Sequence, residues 1–217
     1  MKFGVIGANG RLGKEVITLF EESNHKLVLK YDLDGEWKEN TPQVIIDCSL
    51  PEVFNKSIEY SINFKIPFII ATTGLSEEHF NTMRKCSDQF PVVQSYNFSI
   101  GIQVLLKLIN EAKLNLKGWD VEISETHHRF KKDKPSGTAK MIEKIFKDDD
   151  FNTTSLRLGN VPGDHTVNFG GLGEVLSISH RALTRRAFAE GILKSVEFAI
   201  KKKSGFYTFT DVLFEKS

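Results

Sequence analysis

The glycine-rich stretch Gly7-Ala8-Asn9-Gly10-Arg11-Leu12-Gly13 stands between a short apolar run and an amphipathic one. Lys2–Ile6 reads as a buried strand, and Leu12, Val16, Leu19 and Phe20 recur at helical spacing after it. Strand, glycine turn and helix in that order restrict the opening of this chain to an α/β unit of the dinucleotide-binding kind. Gly7 makes the tight turn, Gly10 lets the backbone approach a pyrophosphate, and Gly13 lets the helix pack closely on the sheet. The GxxGxxG spacing varies the usual fingerprint and is weak by itself; the flanking strand and helix supply its context. A purely structural glycine turn is the competing reading.

The strand–helix alternation continues. Leu27–Tyr31 and Val44–Asp47 read as strands. A helix opened by Pro51 and Glu52 follows, with Val53, Phe54, Ser57, Ile58, Ser61 and Ile62 on one face. Pro67–Thr72 is a further strand, then a helix with Phe80 and Met83 inward, then strand Val92–Ser95. Short apolar strands separated by amphipathic helices predict a parallel sheet covered on both faces.

Beyond that point the pattern changes. Ile102–Leu116 is a longer helix, with Leu105, Leu108, Ile109 and Ala112 expected on its buried face. Val121–Thr126 alternates like a half-buried strand, placing Val121, Ile123 and Glu125 on one side. Ala139–Lys147 is a helix running into three solvated aspartates, Asp148 to Asp150. Ser155–Leu158, Thr166–Phe169 and Val175–Ser179 are strands, the last two joined by the Gly170–Gly173 turn, which suggests an open mixed sheet, mostly antiparallel. Arg185–Lys202 is the last helix, and the aromatic tail Gly205–Phe209 must be packed. The expected organisation is a Rossmann-type α/β dinucleotide-binding domain over residues 1–97, completed by 186–217, and a smaller α+β domain over 98–185 for substrate binding and oligomerisation.

Asp32 ends the second strand, where a carboxylate accepts hydrogen bonds from ribose hydroxyls. It repels a 2′-phosphate, and the next residue is Leu33 rather than arginine. Of NADH and NADPH, this pattern leans toward NADH. Asp47-Cys48-Ser49 and Ala71-Thr72-Thr73-Gly74 close two more strands, at the edge where open α/β sheets bind ligands. Ser49 and Thr73 also suit helix N-caps.

Glu125-Thr126-His127-His128-Arg129-Phe130-Lys131-Lys132-Asp133-Lys134-Pro135-Ser136-Gly137-Thr138 carries the chemistry of the second half. Two adjacent imidazoles can move protons near neutral pH. Arginine and lysine attract anions, and Ser136, Gly137 and Thr138 form a small-residue turn into a helix that suits a carboxylate. Such a segment fits a polyanion that must be protonated; a solvated basic loop is the competing reading.

The formal net charge of +1 makes this cluster a local feature and argues against a nucleic-acid partner. No apolar run approaches the length of a membrane span, and the first residues do not suit a signal peptide. Cys48 and Cys86 are far apart, which fits two reduced thiols and a cytoplasmic location. No metal-ligand spacing is present, and His165 and His180 read as packed histidines on strands.

Over nearly its whole length the chain resembles the 4-hydroxy-tetrahydrodipicolinate reductase (dihydrodipicolinate reductase) family. The likeness rests on the glycine loop with Arg11, Val44-Ile45-Ile46-Asp47, Ala71-Thr72-Thr73-Gly74 and Tyr96-Asn97-Phe98-Ser99-Ile100-Gly101. It extends through Glu125–Thr138, Gly163-Asp164-His165 and Phe188-Ala189-Glu190-Gly191. The pairing of His-His-Arg-x-Lys with Pro-Ser-Gly-Thr is its most specific part. The resemblance implies NAD(P)H-dependent reduction of a cyclic dicarboxylate with loss of water, in lysine and diaminopimelate biosynthesis, by a homotetramer paired through the second-domain sheets. It implies that His127 is the catalytic acid/base and Lys131 the proton-donating lysine. His128, Ser136, Gly137 and Thr138 would bind substrate. Gly7, Ala8, Asn9, Gly10, Arg11, Leu12, Asp32, Ala71, Thr72, Thr73, Ser95, Tyr96, Asn97 and Phe98 would line the cofactor. Ala71 and Phe130 depart from the family pattern, and the chain is shorter than many relatives. Another two-domain Rossmann reductase of a small dicarboxylate, or a non-catalytic NAD-sensing protein, would share the glycine loop and Asp32; neither requires the proton donors beside Pro-Ser-Gly-Thr.

Overall fold

The computed structural model describes residues 1–214 and divides into two compact units, Met1–Phe98 together with the segment from Arg185 onward, and Ser99–Thr184. The first unit begins β1 (Lys2–Ile6), α1 (Arg11–Glu22), β2 (Lys26–Asp32), β3 (Gly35–Lys38) and β4 (Ile45–Asp47). A single 3-10 turn, Pro51–Val53, leads into α2 (Phe54–Phe64), then β5 (Phe68–Ile70), α3 (Glu77–Cys86) and β6 (Pro91–Gln94). The second unit holds α4 (Ile100–Asn115), β7 (Asp120–His127), α5 (Gly137–Glu143), β8 (Asn152–Arg157), β9 (Asp164–Gly170) and β10 (Val175–Arg181). The chain then returns to the first unit with α6 (Arg186–Ala199), β11 (Gly205–Thr208) and α7 (Phe209–Phe214).

Among the described residues the first unit forms a seven-stranded sheet in the order β11-β6-β5-β4-β1-β2-β3. All its neighbours run parallel except β2 and β3. Strands buried on both faces read as continuous apolar runs, as Ile45-Ile46 and Phe68-Ile69-Ile70 do. The core joins Ile6, Leu29, Ile45, Phe54, Phe68 and Val92. Helix α3 is delimited by its own ends: Ser76 Oγ accepts from His79 N–H, His79 Nδ1 accepts from Ser76 N–H, and acidic and basic residues occupy the first and last turns.

Strands β3 and β11 and the terminal helix α7 escape the sequence reading. Strand β3 is exposed along its whole length and carries no apolar alternation. Strand β11 turns the aromatic tail into an edge strand beside β6. Ile62 and Leu108, expected inward, are 39% and 51% exposed. Each lies at the rim of its helix's apolar arc, where one step of the helical wheel separates core from solvent.

The second unit's sheet has the order β10-β9-β7-β8. Strand β8 follows β7 through a helical crossover and therefore runs parallel to it, whereas the short glycine turn makes β9 and β10 antiparallel. Ile102, Leu105 and Ile109 of α4 pack with Ile123, Ile142 and Val167 in one core.

Candidate functional site

The carboxyl edge of the parallel sheet gathers the expected dinucleotide residues in the first unit. Gly7 has φ +77, and a Cβ there would stand 2.7 Å from Cys48 O. A Cβ on Gly13 would stand 2.1 Å from Gly7 O, so only glycine lets α1 pack this close to the turn. Gly10 is the N-cap of α1, and no side chain caps that end. The uncapped first turn, free of acidic residues, is the kind of donor set that binds a phosphate.

Gly7, Gly10, Asp32, Leu33, Ser49 and Val53 line a cavity of about 210 Å³. Asp32 Oδ2 accepts the Asn9 N–H at 2.8 Å, and Oδ1 accepts the Leu33 N–H at 2.8 Å. A carboxylate oxygen offers a second lone pair, so these bonds leave acceptor capacity toward a ribose. Asn9 Nδ2 also holds Asp34, at 3.1 and 3.0 Å from its two oxygens. That second carboxylate was not read from the sequence; an Asp two residues past a strand end carries no signal by itself.

Asp47 is fully buried, and its Oδ1 accepts from Ser49 N–H at 2.8 Å, Ser49 Oγ at 2.6 Å and Thr72 Oγ1 at 2.9 Å. Burial pushes its carboxyl above the ordinary range, against the pull of those hydrogen bonds. It thereby ties the loops after β4 and β5 together. Ala8, Thr72, Ser95 and Asn97 are buried, Leu12, Ala71 and Tyr96 are half-buried, and Thr73 and Arg11 are exposed. Ala71–Thr73 and Ser95–Phe98 follow β5 and β6 at the same sheet edge but do not line the 210 Å³ cavity. The Phe98 ring is 2% exposed and packs on Phe209 at 5.2 Å, so this side chain belongs to the core.

In the second unit β7 delivers its alternating inward residues Val121, Ile123, Glu125 and His127 to one face. Strand register does the rest: Glu125 lies opposite His165 on β9, and His127 opposite Arg157 on β8. Glu125 faces Nδ1 of His127 in a short contact, and its other oxygen accepts from Arg157 Nη2 at 2.9 Å and Ser136 N–H at 3.3 Å. Burial would raise the Glu125 carboxyl, but hydrogen bonds from His127, Arg157 and Ser155 outweigh it and hold the pKa at about 2. The His165 ring stands edge-on to His127 at 5.1 Å; burial, reinforced by His127 whenever that ring carries a charge, lowers the His165 pKa to about 3.

His128, Ser136 and Thr138 are also buried here. Lys131 Nζ pairs with Asp133 Oδ1 at 2.8 Å. Desolvation acts to raise the Asp133 carboxyl, but Lys131 and the Gly137 N–H lower it overall. Ser136 caps α5, its Oγ accepting the Ala139 N–H at 3.1 Å. The small-residue turn is thus partly engaged by the protein's own carboxylates, Glu125 on Ser136 and Asp133 on Gly137. Lys132 and Lys134 are exposed.

The sequence showed no metal-ligand spacing, yet the fold brings ligand atoms of Glu125, His127 and His165 within 4.8 Å of one another. Strand pairing, invisible to local spacing, makes this cluster. The Arg157 guanidinium on the same carboxylate makes it an ion-pair network and opposes a cation. His165, Arg157 and Asp34 are the functional candidates that sequence reasoning missed.

Residues 1–98 match the family model described as dihydrodipicolinate reductase, N-terminus, and residues 101–213 match dihydrodipicolinate reductase, C-terminus. The 4-hydroxy-tetrahydrodipicolinate reductase of Thermosipho africanus is 45% identical over 215 residues, covering 99% of each chain. The chain belongs to the dihydrodipicolinate reductase family. The reductase of Caldanaerobacter subterraneus subsp. tengcongensis is 36% identical, over 95% of this chain and 96% of its own. A solved dipicolinate-bound dihydrodipicolinate reductase from Paenisporosarcina sp. TG-14 shares the fold, with a TM-score of 0.75, 20% identity and 96% and 97% of the two chains covered. Family membership and the glycine-loop edge together assign the first unit a nicotinamide dinucleotide.

Proposed function

We propose that the protein reduces 4-hydroxy-2,3,4,5-tetrahydrodipicolinate to 2,3,4,5-tetrahydrodipicolinate with loss of water, in lysine biosynthesis through diaminopimelate. The observation that carries this reading is the buried Glu125–His127 pair with the Ser136 N–H on the same carboxylate, in a chain whose first unit carries a dinucleotide edge. The cavity beside Gly7, Gly10 and Asp32 and the uncapped start of α1 fit a dinucleotide. When bound, the reduced nicotinamide supplies the hydride.

The chain's own residues do the rest. The Ser136–Thr138 turn holds the substrate's carboxylates, with His128 as a further contact. His127 and Lys131 move the proton that quenches charge building on the ring, and burial of this cluster strengthens each interaction by excluding water. NADH is the preferred cofactor, because Asp32 and Asp34 both oppose a 2′-phosphate. A homotetramer fits the exposed Leu156, Leu158, Val175 and Leu176 on the second unit's strands and their extensions, and the free thiols Cys48 and Cys86 suit the cytoplasm. Among the described residues no helix is long and apolar enough to cross a membrane.

The test couples the upstream synthase, fed pyruvate and aspartate semialdehyde, to this protein and follows NADH and NADPH separately. Oxidation of NADH dependent on the synthase is expected. Oxidation of neither cofactor rejects the proposed activity.

A further inference from the structure

Glu125 and His127 share a face of β7, and the Glu125 side chain is completely buried. A buried carboxylate persists only when its lone pairs are taken up. One oxygen faces Nδ1 of His127, and the other accepts from Arg157 Nη2 and Ser136 N–H. An ionised carboxylate can only accept hydrogen bonds. Nδ1 of His127 must therefore carry the hydrogen, which leaves Nε2 as the atom that exchanges a proton.

The surroundings of Nε2 agree with that assignment. Gly163 lies beside it, and a Cβ at that position would stand 3.0 Å from Nε2. Glycine keeps that approach clear. Arg157 extends the arrangement: besides Glu125, it donates from Nε to Lys131 O at 3.3 Å and from Nη2 to Asp133 O at 2.5 Å. The guanidinium thus links the carboxylate behind His127 to the backbone of the segment carrying Lys131.

We infer that Glu125 is a positioning residue for proton delivery: it holds His127 as the Nδ1–H tautomer with Nε2 presented to substrate, while Arg157 couples that ring to the Lys131 segment. The inference rests on the assignment of His127 as proton donor. A carboxylate that fixes an imidazole tautomer, without itself being protonated, is an established device in hydrolases. A buried ion pair serving stability alone would leave the tautomer and the chemical step untouched.

The experiment reads the ring directly. Histidine-labelled full-length protein is examined by nitrogen NMR without substrate, with the His127 signals identified by their loss in His127→Gln. The intact protein is expected to show the Nδ1–H tautomer. Glu125→Gln, whose amide can either donate or accept, is expected to show a tautomer mixture. It should lose about 100-fold or more in kcat with KM for the cofactor unchanged. Glu125→Asp is expected to restore the tautomer and part of kcat. If Glu125→Gln folds poorly because Arg157 loses its counter-charge, the double variant Glu125→Gln with Arg157→Met gives the same readout without an unpaired guanidinium. An Nε2–H tautomer in the intact protein, an unchanged tautomer in Glu125→Gln, or kcat within a few-fold of the intact protein overturns the inference. Full turnover by His127→Gln instead rejects His127 as proton donor, and the substrate-free tautomer measurement tells the two failures apart.

Discussion

Asp32 Oδ2 accepts the backbone N–H of Asn9 at 2.8 Å, so the carboxylate that suits a ribose also braces the glycine loop. Binding and loop geometry are therefore linked at one side chain. Asp32→Ala is expected to raise KM for NADH by about tenfold, the cost of one hydrogen bond to a charged group, and to leave kcat largely intact. Steady-state kinetics with both cofactors checks this; an unchanged KM for NADH rejects the ribose role.

The two acidic residues beside that loop also set the expected cofactor preference. Replacing both, as Asp32→Ser with Asp34→Ser, removes two charges that oppose a 2′-phosphate. The NADPH-to-NADH ratio of kcat/KM is expected to rise by at least about tenfold. A ratio that stays constant means that discrimination lies elsewhere.

His127→Ala and Lys131→Ala are each expected to lower kcat by about 10²–10⁴-fold while NADH binding persists. Fluorescence titration of NADH alongside turnover separates the two effects. Near-full turnover in either variant rules out the role given to that residue.

Glu125 makes acid stability readable. Its carboxyl lies at about 2 in the folded protein against an ordinary 4.5, so the unfolded chain binds the extra proton between those values. Stability is then fully present above about pH 4.5 and is lost as pH falls toward 2, by up to about 3 kcal/mol for this group. Denaturant unfolding across that window should show a steeper loss in the intact protein than in Glu125→Gln. Equal slopes would mean that the carboxylate is not held down by its partners.

Gly13→Ala tests the loop sterically. The added Cβ would lie 2.1 Å from Gly7 O, a backbone atom that cannot move aside cheaply. A loss of about 2 kcal/mol or more is expected, with weakened NADH binding, because α1 must shift from the turn. Thermal unfolding and NADH titration measure the two consequences together.

Much of this architecture was legible because its signals are local. The glycine spacing, the runs Ile45-Ile46 and Phe68-Ile69-Ile70, and the alternation of β7 each state a backbone conformation within a few residues. Strand β3 was not legible, since Gly-Glu-Trp-Lys on an exposed edge has no buried face to create a pattern. Ile62 and Leu108 were misplaced because apolar spacing marks an arc but not its limits.

Local residue pattern is enough to specify an α/β unit opening on a dinucleotide loop, and a second half with imidazoles and cations before a Ser-Gly-Thr turn. It also places Glu125 on the inner side of a strand read as ending at Thr126, short of His127. It takes the folded sheet to carry that strand on to His127 and to bring Arg157 and His165 beside the pair. Those partners come from β8 and β9 by register, and a one-residue slip of either strand would carry them to the opposite face. Register is set by burial of whole strand faces, so no local stretch of the chain records which distant side chains will meet.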